Sequence, residues 1–433
     1  MARRSFLKDI SSVFASNILA IVSALLIDIV LSRQLGPEGR GLYASILVVP
    51  LIVTSFVMLG IRRSAVYHLG KKVFDADRTV SGIISLLVIT SILAVLISGT
   101  AFLILLPEGL TWPMAILALM SIPVKLILVY SGGIFIGNED FKRSNLQVWL
   151  PLFYDLIGIL IFVALLKWSV SGALLALFLA NMLVSAMSLR YLSKSFKIKI
   201  KWDQEVISSL VKIGIVYAIA VVIMQLNYRV DILLLQELST MREVGYYSLG
   251  VAISDKLWQL PSAIGLVVMS RSANVEDTNR LDRDIAKLVR ISFLIVLLSA
   301  IVLWVVIPYL LPLFYGQKFA PSIGVVRLML PGIIMFVIVR ILSGRFAGSG
   351  QPKLLIGLFV PVLLLNIILN LFWIPSYGSL GAAMATNVSY SVGAIGILIL
   401  FSVKMKIPFS ELILYKRSDF DFINKVATRF WKK

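Results

Sequence analysis

The sequence predicts an all-α integral membrane protein with twelve transmembrane helices, and three observations support this class. Hydrophobic residues make up 59% of the 433 residues and charged residues only 15%, whereas soluble domains carry about 25% charged residues. Apolar runs of roughly twenty residues, each long enough to cross a bilayer core of ~30 Å, recur along the whole chain. The short alternating segments of membrane β-barrels are not found, so the runs are predicted to be helices.

The first six spans are separated by turns and charged loops. The turn SRQLGPEGRG follows the first span, and a basic loop at 62–79, which contains the single histidine His68, follows the second. The segments PEGLTW, GNEDFKRSN and Lys167-Trp168 separate the next four. The predicted spans, accurate to a few residues, are 10–32, 41–61, 80–106, 113–136, 146–166 and 170–191.

The basic stretch SKSFKIKIKWDQE leads from the sixth span to the second half of the chain. There the turn Ser239–Glu243, a loop of mixed charge and the turn FYGQKFAPS separate further apolar runs. The six remaining spans are predicted at 213–235, 245–269, 291–313, 325–347, 353–374 and 378–402. We therefore expect a six-helix lobe at 1–192, a cytoplasmic basic linker at 193–212, a second six-helix lobe at 213–402 and a cytoplasmic tail at 403–433.

Charge and composition limit the function classes. The net charge of +19 is explained by the positive-inside rule, because most of the 41 Lys and Arg residues fall in loops on one side of the twelve-span arrangement. We therefore expect both termini to be cytoplasmic in a bacterial or archaeal cytoplasmic membrane, and no nucleic acid as a partner. The chain contains no cysteine and one histidine, so thiolate and histidine-cluster metal sites are excluded and no cofactor is expected.

The tail has helical spacing of its apolar residues. Ile423, Val426, Ala427 and Phe430 fall on one predicted face, and basic residues fall on the others. This pattern is typical of an amphipathic helix that lies on anionic membrane lipid. A solvated tail without helical structure is the alternative.

The two halves of the chain resemble each other. DIVLSRQLGPEGRGLYASILV from Asp28 aligns without a gap on DILLLQELSTMREVGYYSLGV from Asp231. GIFIGNEDFK from Gly133 aligns on GRFAGSGQPK from Gly344, and SGALLA from Ser171 on LGAAMA. Six spans per copy predict parallel repeats related by an axis along the membrane normal, with a substrate path between them. The Gly-x-x-x-Gly pieces in the second match predict close helix packing.

Nine charged residues fall within the predicted spans. If all nine faced lipid, insertion would cost roughly 20–30 kcal/mol, more than the stability of about 5–15 kcal/mol that a whole fold provides. Most of them must therefore face protein or water, where they mark a path for a polar substrate. They are the acids Asp28, Asp155, Asp231 and Asp255 and the bases Lys125, Arg229, Lys256, Arg327 and Arg340.

Arg229 and Arg340 lie deepest in their spans and are the principal candidates for substrate binding. Further candidates for the lining of the cavity are Lys125, Lys256, Arg327, Asn227 and Tyr228. We expect the four acids, Asp28, Asp155, Asp231 and Asp255, to take part in ion coupling or in the movement of the lobes. Structural ion pairs with arginines on other helices are the alternative for each of them.

Several stretches together resemble the polysaccharide transporter family. They are RQLGPEGRGLYA, NYRVDILLL, VGYYSLGVAISDKLWQLPSAIG, RILSGRFAGSGQPK and NIILNLFWIPSYGSLGAAMAT. These are the Wzx-type flippases of O-antigen and capsule synthesis, within the multidrug/oligosaccharidyl-lipid/polysaccharide exporter superfamily. The resemblance implies two six-helix bundles around a central cavity and transfer of undecaprenyl-pyrophosphate-linked sugars to the outer leaflet.

The resemblance also implies partners and a mechanism. Arginine binds phosphate oxygens through its planar fork, which suits a lipid pyrophosphate. The implied partners are a lipid-linked oligosaccharide, membrane lipids, a polysaccharide polymerase and glycosyltransferases, and a proton or sodium gradient is the implied energy source. A cation-coupled multidrug antiporter and a lipid II flippase, both of the same superfamily, are the alternatives. A membrane-embedded enzyme is disfavoured because the sequence contains no nucleotide-binding loop or nucleophile elbow.

Overall fold

The computed structural model describes residues 2–200, 202–272, 278–416 and 419, and for residues 2–15, 213, 216, 217 and 278 it describes the backbone alone. Almost all of this chain is helical. The helices of the first half are α1 (Ala2–Val57), α2 (Ile61–Lys71), α3 (Ala76–Ile104), α4 (Trp112–Gly137), α5 (Phe141–Gly158, continued by a π-helical segment Ile159–Leu165) and α6 (Ser169–Ser195).

The second half is built in the same way. Its helices are α7 (Gln204–Leu238), α8 (Met241–Ser254), α9 (Gln259–Ser272), α10 (Thr278–Tyr315), α11 (Ser322–Gly348), α12 (Pro352–Met405) and the short α13 (Phe409–Ile413). A 3₁₀ turn, Asp255–Trp258, joins α8 to α9, and a second one occupies Gln317–Phe319.

Helix α1 contains two spans that fold back on each other at Gly36. Gly36 has φ +67°, a left-handed conformation that glycine adopts without steric cost. In a straight helix, the twelve residues from Asp28 to Arg40 would cover about 18 Å. Instead, Nη2 of Arg40 lies 3.1 Å from Oδ1 of Asp28. The chain therefore reverses direction between these two residues.

Helix α12 is bent in the same way at Gly378, which has φ +54°. The amide nitrogen of Asn366 donates to the hydroxyl of Ser389 at 3.1 Å, across 23 residues of sequence. Nine of the described helices are long and apolar enough to cross a membrane, and α1 and α12 each supply two crossings. Together with the interrupted helix from Met241 to Ser272, they confirm the predicted class of twelve transmembrane helices.

The structure corrects part of the predicted loop at 62–79. Residues 61–71 form α2, in which Ile61, Ser64, Ala65, His68 and Leu69 are buried at helical spacing. The imidazole of His68 lies 2.8 Å from the Ser64 carbonyl oxygen and 2.8 Å from the Ser209 hydroxyl. The basic residues of this segment suggested a loop, but they occupy the opposite face of an amphipathic helix.

The chain divides into two compact units. The first contains Met1–Leu249 and Leu311–Pro321, and the second contains Gly250–Leu310 and Ser322–Lys433. The two predicted six-helix lobes, at 1–192 and 213–402 with a linker at 193–212 between them, stay a prediction. In the linker region, helix α7 already begins at Gln204, and the side chain of Asp203 caps it by accepting a hydrogen bond from the Val206 amide. The predicted amphipathic helix of the tail lies outside the described residues.

The predicted close packing of the Gly-x-x-x-Gly pieces is confirmed in each unit separately. In the first unit, a Cβ atom on Gly133 would come within 2.8 Å of the Arg62 carbonyl oxygen on α2. In the second, a Cβ atom on Gly344 would come within 2.2 Å of the Gly265 carbonyl oxygen on α9. The backbones approach so closely that no side chain would fit between them.

Candidate functional site

A cavity of about 190 Å³ in the first unit brings together two predicted residues, Asp28 and Arg229. Arg40, Tyr43 and Ser248 also line it. Asp28 and Arg40 come from the two arms of α1, Arg229 from α7 and Ser248 from α8. We call this space the Asp28 cavity. Asp28 and Arg229, which the sequence placed in different spans, thus line one space.

Arg40 is the member of this site that the sequence analysis missed. It is buried, and its guanidinium binds Oδ1 of Asp28 at 3.1 Å and the Ser32 hydroxyl at 2.8 Å. The prediction placed Arg40 in the turn between the first two spans. The signal that could have found it is Pro37 directly after Gly36, because proline favours the first position of a helix. The second arm of α1 thus starts early enough to carry Arg40 into the bundle.

Asp231, which matches Asp28 in the internal repeat, has a different environment. Its side chain is fully buried, and the Tyr247 hydroxyl donates a 2.7 Å hydrogen bond to its Oδ2. One turn earlier, Asn227 is buried and donates to the Ile223 carbonyl oxygen at 3.0 Å. Tyr228 is half-buried, and neither residue contributes to the lining of the Asp28 cavity.

A second cavity, of about 260 Å³, lies within the first unit and contains two further predicted residues, Lys125 and Asp155. Arg62 of α2, which belongs to the segment predicted as a loop, also lines it. We call it the Lys125 cavity. Its remaining polar lining comes from Ser144, Gln147 and Asn181.

In the second unit, Arg340 lies against aromatic rings. Its guanidinium carbon is 4.5 Å from the ring centroid of Trp258 and 6.0 Å from that of Phe336. A cation over an aromatic face is stabilised by the ring quadrupole. Asp255 and Lys256 precede Trp258 in the 3₁₀ turn, where Asp255 is half-buried and Lys256 is exposed. The predicted span 245–269 thus contains a 3₁₀ turn between α8 and α9, and such mid-helix stretches often mark hinges.

Arg327 does not join the cluster around Arg340. Its guanidinium stacks on Trp304 at 4.3 Å and donates to the Trp304 carbonyl oxygen at 3.2 and 3.3 Å. Half of the Trp304 side chain is exposed on the surface of the second unit. These contacts account for Arg327 without a ligand.

Comparisons with known proteins agree with this architecture. A family model described as "Polysaccharide biosynthesis protein" matches residues 30–324. The capsular polysaccharide biosynthesis protein CapF of Staphylococcus aureus is 24% identical over 90% of this chain and 97% of its own length. A putative O-antigen transporter of Shigella flexneri is 22% identical over 84% of this chain and 90% of its own length.

Two solved structures share the fold. An inward-facing multidrug resistance transporter of the MATE family, in the MOP superfamily, matches with a TM-score of 0.70 and 17% identity, covering 89% of this chain and 94% of that one. The lipid II flippase MurJ, in an inward closed conformation, matches with a TM-score of 0.69 and 17% identity, covering 97% and 96%. The chain therefore belongs to the family of polysaccharide biosynthesis proteins and is a multi-pass membrane protein with the fold of these two solved transporters.

Proposed function

We propose that the protein is a flippase that carries undecaprenyl-pyrophosphate-linked oligosaccharides from the cytoplasmic to the outer leaflet of the cytoplasmic membrane. The observation that carries the proposal is the charge balance of the Asp28 cavity, where two arginines, Arg40 and Arg229, accompany one carboxylate. A formally positive cavity inside the membrane suits an anionic head group and disfavours an organic cation. The family and the relatives named for capsule and O-antigen support the saccharide part of the substrate.

Arg229 is the proposed contact for the pyrophosphate. Arg40 is held by Asp28 and Ser32, so its guanidinium is largely committed to the fold. Arg229 lines the same cavity from α7 and is half-buried. In the second unit, Arg340, whose guanidinium lies over the ring of Trp258, is the proposed cationic contact for the saccharide part.

We further propose that transport proceeds by alternating access and is coupled to a proton or sodium gradient. Asp28 and Asp231 are the candidate coupling acids, because they occupy matching positions in the repeat and both are held inside the bundle. Both termini are proposed to be cytoplasmic, on the basis of the distribution of Lys and Arg. A polysaccharide polymerase and glycosyltransferases are the proposed neighbours in the pathway.

The test is transport by Arg229 variants in a strain that lacks its own flippase, together with binding of the lipid-linked oligosaccharide to the purified proteins. Arg229→Ala should remove a charge-assisted contact worth on the order of 1.5–3 kcal/mol, which is roughly a ten- to hundredfold loss of affinity. Arg229→Lys should be impaired to a smaller extent, because lysine meets phosphate as a point charge and lacks the planar fork. Arg340→Ala is expected to impair transport as well.

Arg327→Ala is the matched control, since it also removes an arginine from a span but one that contacts Trp304 on the surface. It should transport at close to the parental rate at equal expression. Normal binding and transport by Arg229→Ala would refute the proposed pyrophosphate contact. A preference of the parental protein for organic cations over lipid pyrophosphates would assign it to the drug antiporters instead.

A further inference from the structure

The Lys125 cavity holds charged groups that do not neutralise each other directly. Lys125 comes from α4, Asp155 from α5 and Arg62 from α2. Within the described part of the chain, no ion pair or hydrogen bond joins Lys125 to Asp155, and the buried Oδ1 atom of Asp155 has no hydrogen-bond partner. An unsatisfied buried carboxylate oxygen costs free energy comparable to a lost hydrogen bond, or more. Asp155 is therefore a buried carboxylate whose Oδ1 atom is not compensated by a hydrogen bond from the described residues.

The polar groups around these charges are themselves fixed in place. The amide nitrogen of Gln147 donates both hydrogens, to Ser131 at 2.6 Å and to Ser188 at 2.8 Å. This leaves the Gln147 carbonyl oxygen as an acceptor, beside that of Asp155. The cavity thus combines two cations with at least two acceptors held on rigid helices.

The equivalent space in the second half of the chain is filled. The internal duplication, with offsets of 203, 211 and 209 residues in successive segments, aligns Ser55, Lys125 and Asn181 with Trp258, Phe336 and Tyr390. In the second unit these three rings pack on one another, with centroids 4.4 to 5.5 Å apart. Asp155 aligns with Asn366, whose amide is bonded to Ser389. The positions that match Lys125 and Asn181 of the cavity thus carry the packed rings of Phe336 and Tyr390, with the guanidinium of Arg340 6.0 Å from the Phe336 centroid.

The lining selects the chemistry of a ligand. Lys125 and Arg62 favour a negatively charged group, and the polar side chains of Asp155, Ser144 and Asn181 in the lining favour hydroxyl groups. The volume of about 260 Å³ is below the range of roughly 300–1,000 Å³ that is typical of drug-sized ligands. It therefore suits a single sugar ring with a few waters rather than a whole oligosaccharide.

We infer that the Lys125 cavity is a subsite for one hydroxylated anion, a sugar residue that carries a carboxylate or a phosphate group. The inference rests on the proposed function only for the source of that sugar, which would be part of the lipid-linked substrate. Lys125 and Arg62 bind the anionic group, and Asp155 accepts a hydrogen bond from a ring hydroxyl. The site would make the transporter selective for saccharides with an acidic substituent.

The absence of native cysteine allows the charge of this cavity to be measured without knowledge of the substrate. Ser144 lines the cavity, so Ser144→Cys is a nearly isosteric reporter. Its rates of reaction with an anionic sulfonate and a cationic trimethylammonium thiosulfonate reagent are compared in the purified full-length protein. Ser193→Cys, on the exposed end of α6, is the matched reporter outside the cavity.

The ratio of anionic to cationic labelling is measured at both reporters, and because Ser193 begins the basic segment SKSFKIKIK, the change in each ratio on substitution of Lys125 is what is compared. Adding Lys125→Gln should lower the ratio at the cavity reporter by roughly tenfold, as expected for a unit charge within about 10 Å in a medium of intermediate dielectric. It should leave the ratio at Ser193→Cys unchanged, and Lys125→Arg should restore the parental value. An unchanged ratio in Lys125→Gln would overturn the inference.

Protection experiments identify the ligand. Glucuronate, glucose 1-phosphate, inorganic phosphate and glucose are each added during labelling of Ser144→Cys. Protection by glucuronate beyond that by phosphate supports a sugar carboxylate, and protection by glucose 1-phosphate beyond that by glucuronate supports a sugar phosphate. Equal protection by glucose, or none by any of the four, would overturn the assignment. The proposed function fails separately, in the transport assay of the Arg229 variants.

Discussion

Replacing Asp419 with asparagine should release the segment that follows α12 from the second unit. Both carboxylate oxygens of Asp419 accept hydrogen bonds from the Arg290 guanidinium, each at 2.7 Å, and both side chains are almost fully buried. The Arg290 carbonyl oxygen accepts a further bond from the Tyr415 hydroxyl at 3.1 Å. Three residues before Tyr415, the buried Leu412 lines a pocket together with residues of α10 and α11. We call residues 406–416 together with Asp419 the tail latch.

The magnitude follows from the burial of the ion pair. Removing one partner of a buried pair costs about 3–5 kcal/mol when the other charge stays buried. Here the tail latch can undock and allow water to reach Arg290, so the effective cost lies nearer to the value of a charge-assisted hydrogen bond, about 2–3 kcal/mol. Since about 1.4 kcal/mol corresponds to a factor of ten, the undocked population should rise roughly 30- to 140-fold.

The assay is thiol labelling of a Leu412→Cys reporter, because Leu412 is 2% exposed in the docked state. Asp419→Asn should accelerate labelling of this cysteine roughly 30- to 140-fold, in proportion to the undocked population. Glu411→Gln is the control, since it removes an exposed ion pair with Lys416 at 3.4 Å and should change the rate by no more than about fivefold. Equal labelling rates in the Asp419→Asn and parental proteins would refute the reasoning.

The pH dependence of the tail latch has a defined sign. The hydrogen bonds from Arg290 hold the pKa of Asp419 below its ordinary value. The stability that this pair contributes is therefore fully present above the unfolded pKa of about 4, and it is lost as the pH falls through the lowered pKa. The labelling rate of the Asp419→Asn protein, divided by that of the parental protein, should thus stay constant between pH 5 and pH 8. A decrease of this ratio between these two pH values would contradict the assignment.

Two further predictions concern topology and coupling. Lys167→Cys should react with an impermeant thiol reagent from outside the cell, and Lys199→Cys should react only after the membrane is opened. Labelling of both positions from the same side would refute the twelve-span orientation. Asp28→Asn or Asp231→Asn should lower transport under an imposed proton or sodium gradient, and parental rates for both variants and for their combination would make these acids structural.

The sequence alone determined the membrane class, the twelve spans and the internal duplication. These features depend on local composition, because a span must be apolar over about twenty residues whatever its neighbours are. The close approach at Gly133 and Gly344 was predictable for the same reason, since small residues at a spacing of four mark a packing face. The intramembrane charges were found as candidates because a charge in hydrocarbon is costly wherever it occurs.

Only the tertiary structure decided which charges meet. Arg40 reaches Asp28 because the chain reverses at Gly36, and Arg62 reaches the Lys125 cavity because a charged segment forms the amphipathic helix α2. Arg340 and Arg327 were both cavity candidates from the sequence, yet one lies on Trp258 and the other on Trp304. Hydropathy gives the free-energy cost of placing a residue in lipid. Which partner offsets that cost depends on how the helices rotate and pack, and this packing is determined by residues far away in the chain.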